Sequence, residues 1–116
     1  SLRNASAVAR WLASWQGAVV VIPAGERWPD GTIRFAVEDW LGAGAVIDAL
    51  AGPRTSEAEL AASAFAAARE RLAEILAGSL SGQELLARGF AADVALASEY
   101  DCSAAVPVVD ENGWLA

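Results

Sequence analysis

The chain contains no histidine and no methionine, and it has one cysteine in 116 residues. Histidine is the commonest metal ligand and the commonest general base. A metal site here should therefore hold a hard cation through oxygen atoms, and Mg²⁺ is the first expectation. The lone Cys102 cannot form an internal disulfide, which is typical of a protein from the reducing cytoplasm. No apolar run approaches the roughly 20 residues that span a bilayer.

Positive charge is also scarce in this sequence. All eight basic residues are arginine, against fifteen acidic residues, and the net charge is −7. Phosphate backbones and anionic lipid surfaces bind basic protein surfaces, so we expect neither a nucleic acid nor a membrane as a partner. A small anionic substrate would also be repelled at long range, and its site would need local arginine residues or a metal ion.

Large apolar side chains are comparatively few, because much of the 55% apolar content is alanine. Alanine buries little surface per residue, so we expect further protein to complete part of the core. That protein would be a second copy, in a homo-oligomer, or a missing N-terminal half. The absence of methionine and a helix start within the first residues are typical of a segment of a longer protein.

Periodicity and turn residues predict five helices and two strands. The helices are expected over about 4–15, 36–50, 56–77, 81–88 and 91–100, and the strands over 18–23 and 104–109. The third helix carries an apolar stripe of Leu60, Phe65, Leu72 and Leu76. This order predicts an α/β fold with three layers, α/β/α. Two strands do not form a stable sheet alone, so missing sequence or a partner should complete it.

Two adjacent carboxylates, Glu38 and Asp39, open the second predicted helix after a loop rich in charge. Acidic residues at a helix N-terminus are stabilised by its dipole by about 0.3–1 kcal/mol, which is one explanation for the pair. The alternative is that they bind Mg²⁺ or act as a general base for water. Adjacent side chains point about 100° apart on a helix, so one of the two should face such a site directly.

Two other features have both a structural and a functional explanation. Gly42 and Gly44 each cost the second helix about 1 kcal/mol relative to alanine, which close packing against the sheet or room for a ligand would offset. Asn4 and Ser6 lie where the first helix begins. They either cap that helix or bind an anion through its exposed N–H groups.

The stretch "VVVIPAGERWPDGTIRFAVEDWLGAGAVIDAL" resembles the 2-phosphosulfolactate phosphatase (ComB-like) family. Members of that family have Ala-Gly after a strand, then Glu-Asp, and then Ala-Gly-Ala at the head of a helix. "GQELLARGFAADVALASEYDCSAAVPVV" is similar to the C-terminal part of the family. The resemblance implies that residues 1–116 form one unit, the C-terminal part of such a domain. The Asp-Val-Leu-Arg-type motif of the N-terminal half has no match here, so the site in this chain is expected to be incomplete.

The resemblance implies Mg²⁺-dependent hydrolysis of a phosphate ester on a small sulfonated acid, a step toward coenzyme M. Glu38 and Asp39 would then be the catalytic and metal-binding residues. Arg27 or Arg34 would bind phosphate or sulfonate in a forked geometry. N–H groups around Gly25, or near Asn4 and Ser6, would add donors. Two alternatives remain: a non-catalytic α/β module that binds a ligand or partner, and a structural half that completes a sheet and a dimer interface.

Overall fold

Six helices dominate the chain in a computed structural model that describes residues 1–113. They are α1 (Ala5–Leu12), α2 (Val37–Asp48), α3 (Ser56–Ala68), α4 (Leu72–Gly78), α5 (Leu80–Ala87) and α6 (Ala91–Ala97). A 3-10 turn over Leu2–Asn4 precedes α1, and another over Arg69–Arg71 separates α3 from α4. The predicted helices are confirmed, except that the one expected over 56–77 is divided in two. Across the described residues, no helix has the length and apolar character needed to cross a membrane.

The sheet among the described residues is a small antiparallel hairpin. Its strands are β1 (Glu26–Arg27) and β2 (Ile33–Arg34), with Glu26 opposite Arg34. This hairpin lies in the segment predicted to be a loop, and neither 18–23 nor 104–109 forms a strand. The prediction of a buried strand over 18–23 is wrong for this structure, because no described strand lies beside it and its outer side chains are exposed. The chain mixes helices with a small sheet, which agrees with an α/β fold at that level.

The core lies between α2 and α3, where two helix backbones approach each other closely. A Cβ atom at Gly44 would lie 2.2 Å from the carbonyl oxygen of Ala61, a contact that only glycine avoids. The predicted close packing is therefore confirmed at Gly44, although the neighbour is a helix and not a sheet. At Gly42 the prediction is wrong, because a Cβ atom there would meet its nearest neighbours at 3.7 Å, an ordinary contact. The buried cluster comprises Leu2, Ala5, Leu41, Ala45, Val46, Phe65, Ala68, Leu72 and Leu76.

The predicted stripe on the third helix is correct except at its first member. Phe65, Leu72 and Leu76 belong to the buried cluster, whereas Leu60 is 66% exposed. Phe65 lies five positions after Leu60 in the helix, so their side chains point about 140° apart. The core-facing residues of α3 besides Phe65 are alanines, which let α2 come close.

Candidate functional site

The loop before the hairpin is tied to the first turn of α2. The backbone N–H of Gly25 donates a hydrogen bond of 2.8 Å to Oδ2 of Asp39. Gly25 has a φ of +74°, and a Cβ atom there would lie 2.9 Å from the carbonyl oxygen of Arg34. Two of the predicted site residues, Gly25 and Asp39, are thus brought together. One oxygen of Asp39 holds the loop in place.

The tip of the hairpin is held by its own side chains. Oδ1 of Asp30 accepts hydrogen bonds from the N–H and the hydroxyl of Thr32, and these bonds lower the pKa of Asp30. Nη1 of Arg27 donates to the carbonyl oxygen of Gly31 at 2.7 Å. Arg27 is otherwise exposed, so its remaining donors face solvent.

Arg34 is the one charged residue among the described buried side chains, at 7% exposed. Its Nη1 and Nη2 atoms donate to the two carboxylate oxygens of Glu84 on α5, both at 3.0 Å. Its guanidinium carbon lies 5.2 Å from the ring centroid of Trp28, a cation–π geometry. The fork predicted to hold phosphate or sulfonate therefore holds a carboxylate of this chain and fastens the hairpin to α5.

We expect Glu84→Gln to lower the free energy of unfolding by about 1–3 kcal/mol, because it leaves a buried guanidinium without its charged partner. The lower part of that range is expected, since the side chain of Glu84 is half exposed and solvent screens it. Urea unfolding at neutral pH measures the change. Glu74→Gln is the matched control, because Glu74 makes the same two-bond contact with Arg71 on an open surface. If both variants lose the same free energy of unfolding, the burial of Arg34 does not make its contact with Glu84 more stabilising than a contact on the surface.

Glu38 differs from Asp39 in having a carboxylate oxygen without a partner. Oε2 of Glu38 is shielded from solvent, and no described group donates a hydrogen bond to it. Glu38 lines a cavity of about 290 Å³ between α2 and the junction of α4 with α5. The other lining residues are Phe35, Val37, Ile75, Gly78, Ser79, Leu80 and Ser81. A shielded, unpaired carboxylate oxygen costs free energy, so a cation or a donor from a ligand would stabilise it.

Two serines also line that cavity, and they differ in their hydrogen bonding. The hydroxyl of Ser79 caps α5, since it accepts from the N–H of Gly82 and donates to the carbonyl oxygen of Leu76. The hydroxyl of Ser81 makes no hydrogen bond to any described residue. Glu38 and Ser81 are thus two polar side chains of one cavity whose hydrogen-bonding capacity is not used up.

The carboxylates of the described residues do not form a complete metal-binding set. Within residues 1–113, no three His, Cys, Asp or Glu side chains are grouped closely enough to hold an ion. Mg²⁺ commonly keeps several water ligands and binds through one or two carboxylates together with substrate phosphate. The unpaired oxygen of Glu38 fits the role of one such ligand. Asp39 has one oxygen engaged by Gly25, so it is the weaker candidate.

Asn4 and Ser6 contact the C-terminal segment and make no hydrogen bond to the loop or to α2. Both the N–H and the hydroxyl of Ser6 donate to the carboxylate of Asp101. Nδ2 of Asn4 donates to the carbonyl oxygen of Ala105 at 2.9 Å. The N-terminus of α1 therefore binds an anion, as its dipole favours, but that anion is a side chain of the same chain.

Burial would raise the pKa of Asp101, but hydrogen bonds from Ser6 and Tyr100 and the charge of Arg10 outweigh it and lower this pKa. A carboxylate with a lowered folded-state pKa stabilises the fold above its unfolded-state pKa, and this contribution is lost as the pH falls through the lowered value. We expect Asp101→Asn to melt at a lower temperature than the wild type at pH 7. The difference should start to shrink as the pH falls through about 4, the ordinary range for an aspartate, and vanish below the lowered folded-state pKa.

Thermal melts of both proteins at pH 7 and pH 3 measure this effect. Asparagine suits the test because, like aspartate, it tolerates the positive φ of +52° at this position. A difference in melting temperature that is the same at both pH values would contradict the charge-based explanation.

Sequence reasoning missed three residues that the fold places beside predicted ones: Ser81, Glu84 and Asp101. Ser81 and Glu84 lie within the helix expected over 81–88, and Asp101 lies in "EYDCS". Asp101 binds Ser6 at a sequence separation of 95, Glu84 binds Arg34 at a separation of 50, and Ser81 lines the same cavity as Glu38. No local pattern indicates these contacts, because each joins segments that are far apart in the sequence.

Comparison with known proteins identifies the family. A family model described as "2-phosphosulpholactate phosphatase" matches residues 1–112. A "Probable 2-phosphosulfolactate phosphatase" from Gloeobacter violaceus is 33% identical over 107 residues, and one of the same name from Carboxydothermus hydrogenoformans is 36% identical over 109. Each match covers 92% of this chain and 44% of the relative. This chain thus spans less than half the length of the relatives it matches.

No solved structure has a significant match to this chain. The family match covers the hairpin, the residues of the cavity beside Glu38, and the segment around Asp101, which is hydrogen-bonded to Ser6 at the start of α1. It rests on nearly the whole chain and not on a single motif, which confirms the resemblance found in the sequence. The chain belongs to the 2-phosphosulfolactate phosphatase family.

Proposed function

We propose that this chain carries part of the active site of a Mg²⁺-dependent phosphatase. Its substrate would be the phosphate ester of a small acid, similar to 2-phosphosulfolactate. Family membership supports the reaction class. The observation that carries the assignment to a place in the fold is the shielded, unpaired oxygen of Glu38 beside the cavity of about 290 Å³. The cytoplasm is the proposed location, and a step toward coenzyme M is the proposed context.

Glu38 is the proposed ligand for Mg²⁺ in this half of the site. When bound, Mg²⁺ would neutralise phosphoryl oxygens and lower the pKa of an attacking water. The hydroxyl of Ser81, which lines the same cavity, would donate a hydrogen bond to an oxygen of the substrate. Ser81 lies in the first turn of α5, where the helix dipole favours a negatively charged group.

The neighbouring residues take supporting roles in this proposal. Asp39 holds the loop at Gly25 and so fixes the direction in which the first turn of α2 presents Glu38. Arg27 is exposed and keeps free donors that could bind phosphate or sulfonate in a forked geometry. Asn4 and Ser6 would have to leave their present partners to bind substrate, and both terminal nitrogens of Arg34 are engaged by Glu84, although its buried Nε has no partner. We therefore place them as structural residues of the site.

The test of the proposal is phosphate release by the protein that the complete gene encodes. We expect hydrolysis of 2-phosphosulfolactate, or of a phosphorylated hydroxy acid, to rise with Mg²⁺ concentration and to stop when EDTA is added. Release of phosphate that is unaffected by EDTA would overturn the metal assignment. Loss of all hydrolysis across these substrates would favour the second candidate.

The second candidate is a non-catalytic α/β module that binds a ligand or a partner. It is favoured by one observation: Arg34, Asn4 and Ser6, three of the predicted site residues, are bound to other parts of this chain. Isothermal titration of the same protein with the phosphorylated acids separates the two candidates. Binding without turnover would support the module.

A further inference from the structure

We propose that Arg34 and Glu84 are positioning residues for the reaction. Their forked contact sets the spacing between α2, which carries Glu38, and α5, which carries Ser81. The inference rests on the proposed function, because it assigns two further residues that act on the substrate through Glu38 and Ser81 and do not touch it themselves.

The cavity lies where two groups of helices meet. α2 packs mainly against α3 and α1, whereas α4, α5 and α6 pack mainly against one another. Phe35, Val37 and Glu38 come from the start of α2 and the segment before it. The other lining residues come from α4, from α5 and from the residue between them. The spacing of Glu38 and Ser81 therefore depends on the contacts that hold the two groups of helices together.

Arg34 is attached closely to the first of these groups. It is the last residue of β2 and lies two positions before Ala36, the N-cap of α2. The loop before the hairpin is bound to the first turn of α2 through Gly25 and Asp39. The backbone at Arg34 therefore keeps a fixed position relative to the helix turn that carries Glu38.

The side chain of Arg34 depends on Glu84 for all of its hydrogen bonds to described residues. Nη1 and Nη2 each donate to one carboxylate oxygen at 3.0 Å, and the buried Nε has no partner there. Two parallel bonds fix the orientation of the two groups as well as their distance. Because Arg34 is buried, breaking the fork would leave a buried charge without a partner. The contact is therefore a persistent connection between β2 and α5.

The fork reaches Ser81 through the short helix α5. Glu84 lies three residues after Ser81, which is about one helical turn. The first turn of α5 packs tightly on the end of α4, because a Cβ atom at Gly82 would overlap the carbonyl oxygen of Leu76. The end of α4 and the start of α5 thus form one unit. A shift at Glu84 therefore displaces Ser81 together with the other cavity-lining residues of this unit.

A double-mutant cycle in the protein that the complete gene encodes tests the proposal. The variants are Glu84→Gln, Ser81→Ala and the two combined, assayed for release of phosphate from a phosphorylated hydroxy acid at a temperature where all are folded. We expect each single variant to lower kcat about tenfold, since a misplacement of about 1 Å can cost up to about 100-fold. The double variant should be no slower than the slower single variant, because both changes remove the same contact with the substrate.

The Mg²⁺ concentration for half-maximal activity separates positioning from general loosening of the site. It should be the same in all three variants and the wild type, because Glu38 is retained. Losses in kcat that multiply to about 100-fold in the double variant would overturn the proposal. So would a rise in the half-maximal Mg²⁺ concentration as large as the loss in kcat.

Two further variants test the fork itself. Arg34→Lys keeps the positive charge but cannot bind both carboxylate oxygens, so its kcat should fall as in Glu84→Gln. A wild-type kcat in Arg34→Lys would overturn the proposal. Glu74→Gln breaks the same two-bond contact on an open surface and should keep the wild-type kcat. An equal loss in Glu74→Gln would also overturn the proposal.

Failure of the proposed function has a different signature. A wild type that binds the phosphorylated acid without releasing phosphate would overturn the phosphatase activity. The same cycle is then measured on the Kd by isothermal titration, with the same non-additivity expected and independent effects overturning the positioning role. A wild type that neither binds the acid nor releases phosphate would overturn both proposals.

Discussion

Replacing Gly44 by alanine is expected to lower the free energy of unfolding by about 1–3 kcal/mol, and replacement by leucine by more. The added Cβ atom would lie 2.2 Å from the carbonyl oxygen of Ala61 and 3.0 Å from the Cβ of Phe65. A backbone oxygen of a packed helix cannot rotate aside, so α2 and α3 would have to separate. That separation would loosen the contacts of Phe65, the most completely buried large side chain among the described residues.

Gly42→Ala is the matched control and should act in the opposite direction. The atoms nearest to a Cβ at Gly42 belong to Ser1 and Leu2, at 3.7 Å, which is an ordinary contact. Alanine should therefore stabilise α2 by up to about 1 kcal/mol through its higher helix propensity. Denaturant unfolding of both variants and the wild type measures the two effects. If Gly44→Ala is as stable as Gly42→Ala, the close approach of the two helices is not present in solution.

Replacing Glu38 by glutamine is expected to reduce Mg²⁺-dependent phosphate release by about 100-fold or more, when measured in a protein that contains the complementary half of the domain. The variant keeps the shape of the side chain and removes its charge, so the expected loss is that of a metal ligand. The melting temperature should stay the same or rise, since a shielded carboxylate oxygen without a partner destabilises the fold.

Asp39→Asn should give a different result, because Asp39 already has a partner. Loss of its charge weakens the hydrogen bond from Gly25 and the interaction with the helix dipole, which should cost about 1 kcal/mol or less. Phosphate release should fall less than tenfold, as expected for a residue that positions a loop.

Glu57→Gln is the matched control for both variants. Glu57 occupies the same second helical position in α3 that Glu38 occupies in α2, and it does not line the cavity. Its replacement should leave both the rate and the Mg²⁺ dependence unchanged. If Glu38→Gln also keeps the wild-type rate and the wild-type response to Mg²⁺, Glu38 is a dipole-compensating acid and the catalytic proposal for this residue is wrong.

Several properties of the protein were determined by the sequence alone. The spacing of apolar residues and the turn residues predicted where the helices lie, because helical periodicity and helix ends depend on residues a few positions apart. Gly42 and Gly44 were both predicted to be close-packing positions, because glycine inside a helix has a cost that something must offset, and the structure confirms this for Gly44. The family was recognised from the order of the motifs, and the match over residues 1–112 confirms it.

Only the tertiary structure decided which polar groups are free. The sequence did not indicate whether Glu38 or Asp39 is the better candidate for a metal ligand. In the structure, Asp39 accepts a hydrogen bond from Gly25, whereas one oxygen of Glu38 has no partner. Arg34 lost its expected role to Glu84, which lies 50 residues further along the chain. The β-branched run over 18–23 has strand propensity but no described neighbour to pair with. In each case the outcome depends on which distant residue arrives in contact, and local sequence patterns carry no information about that.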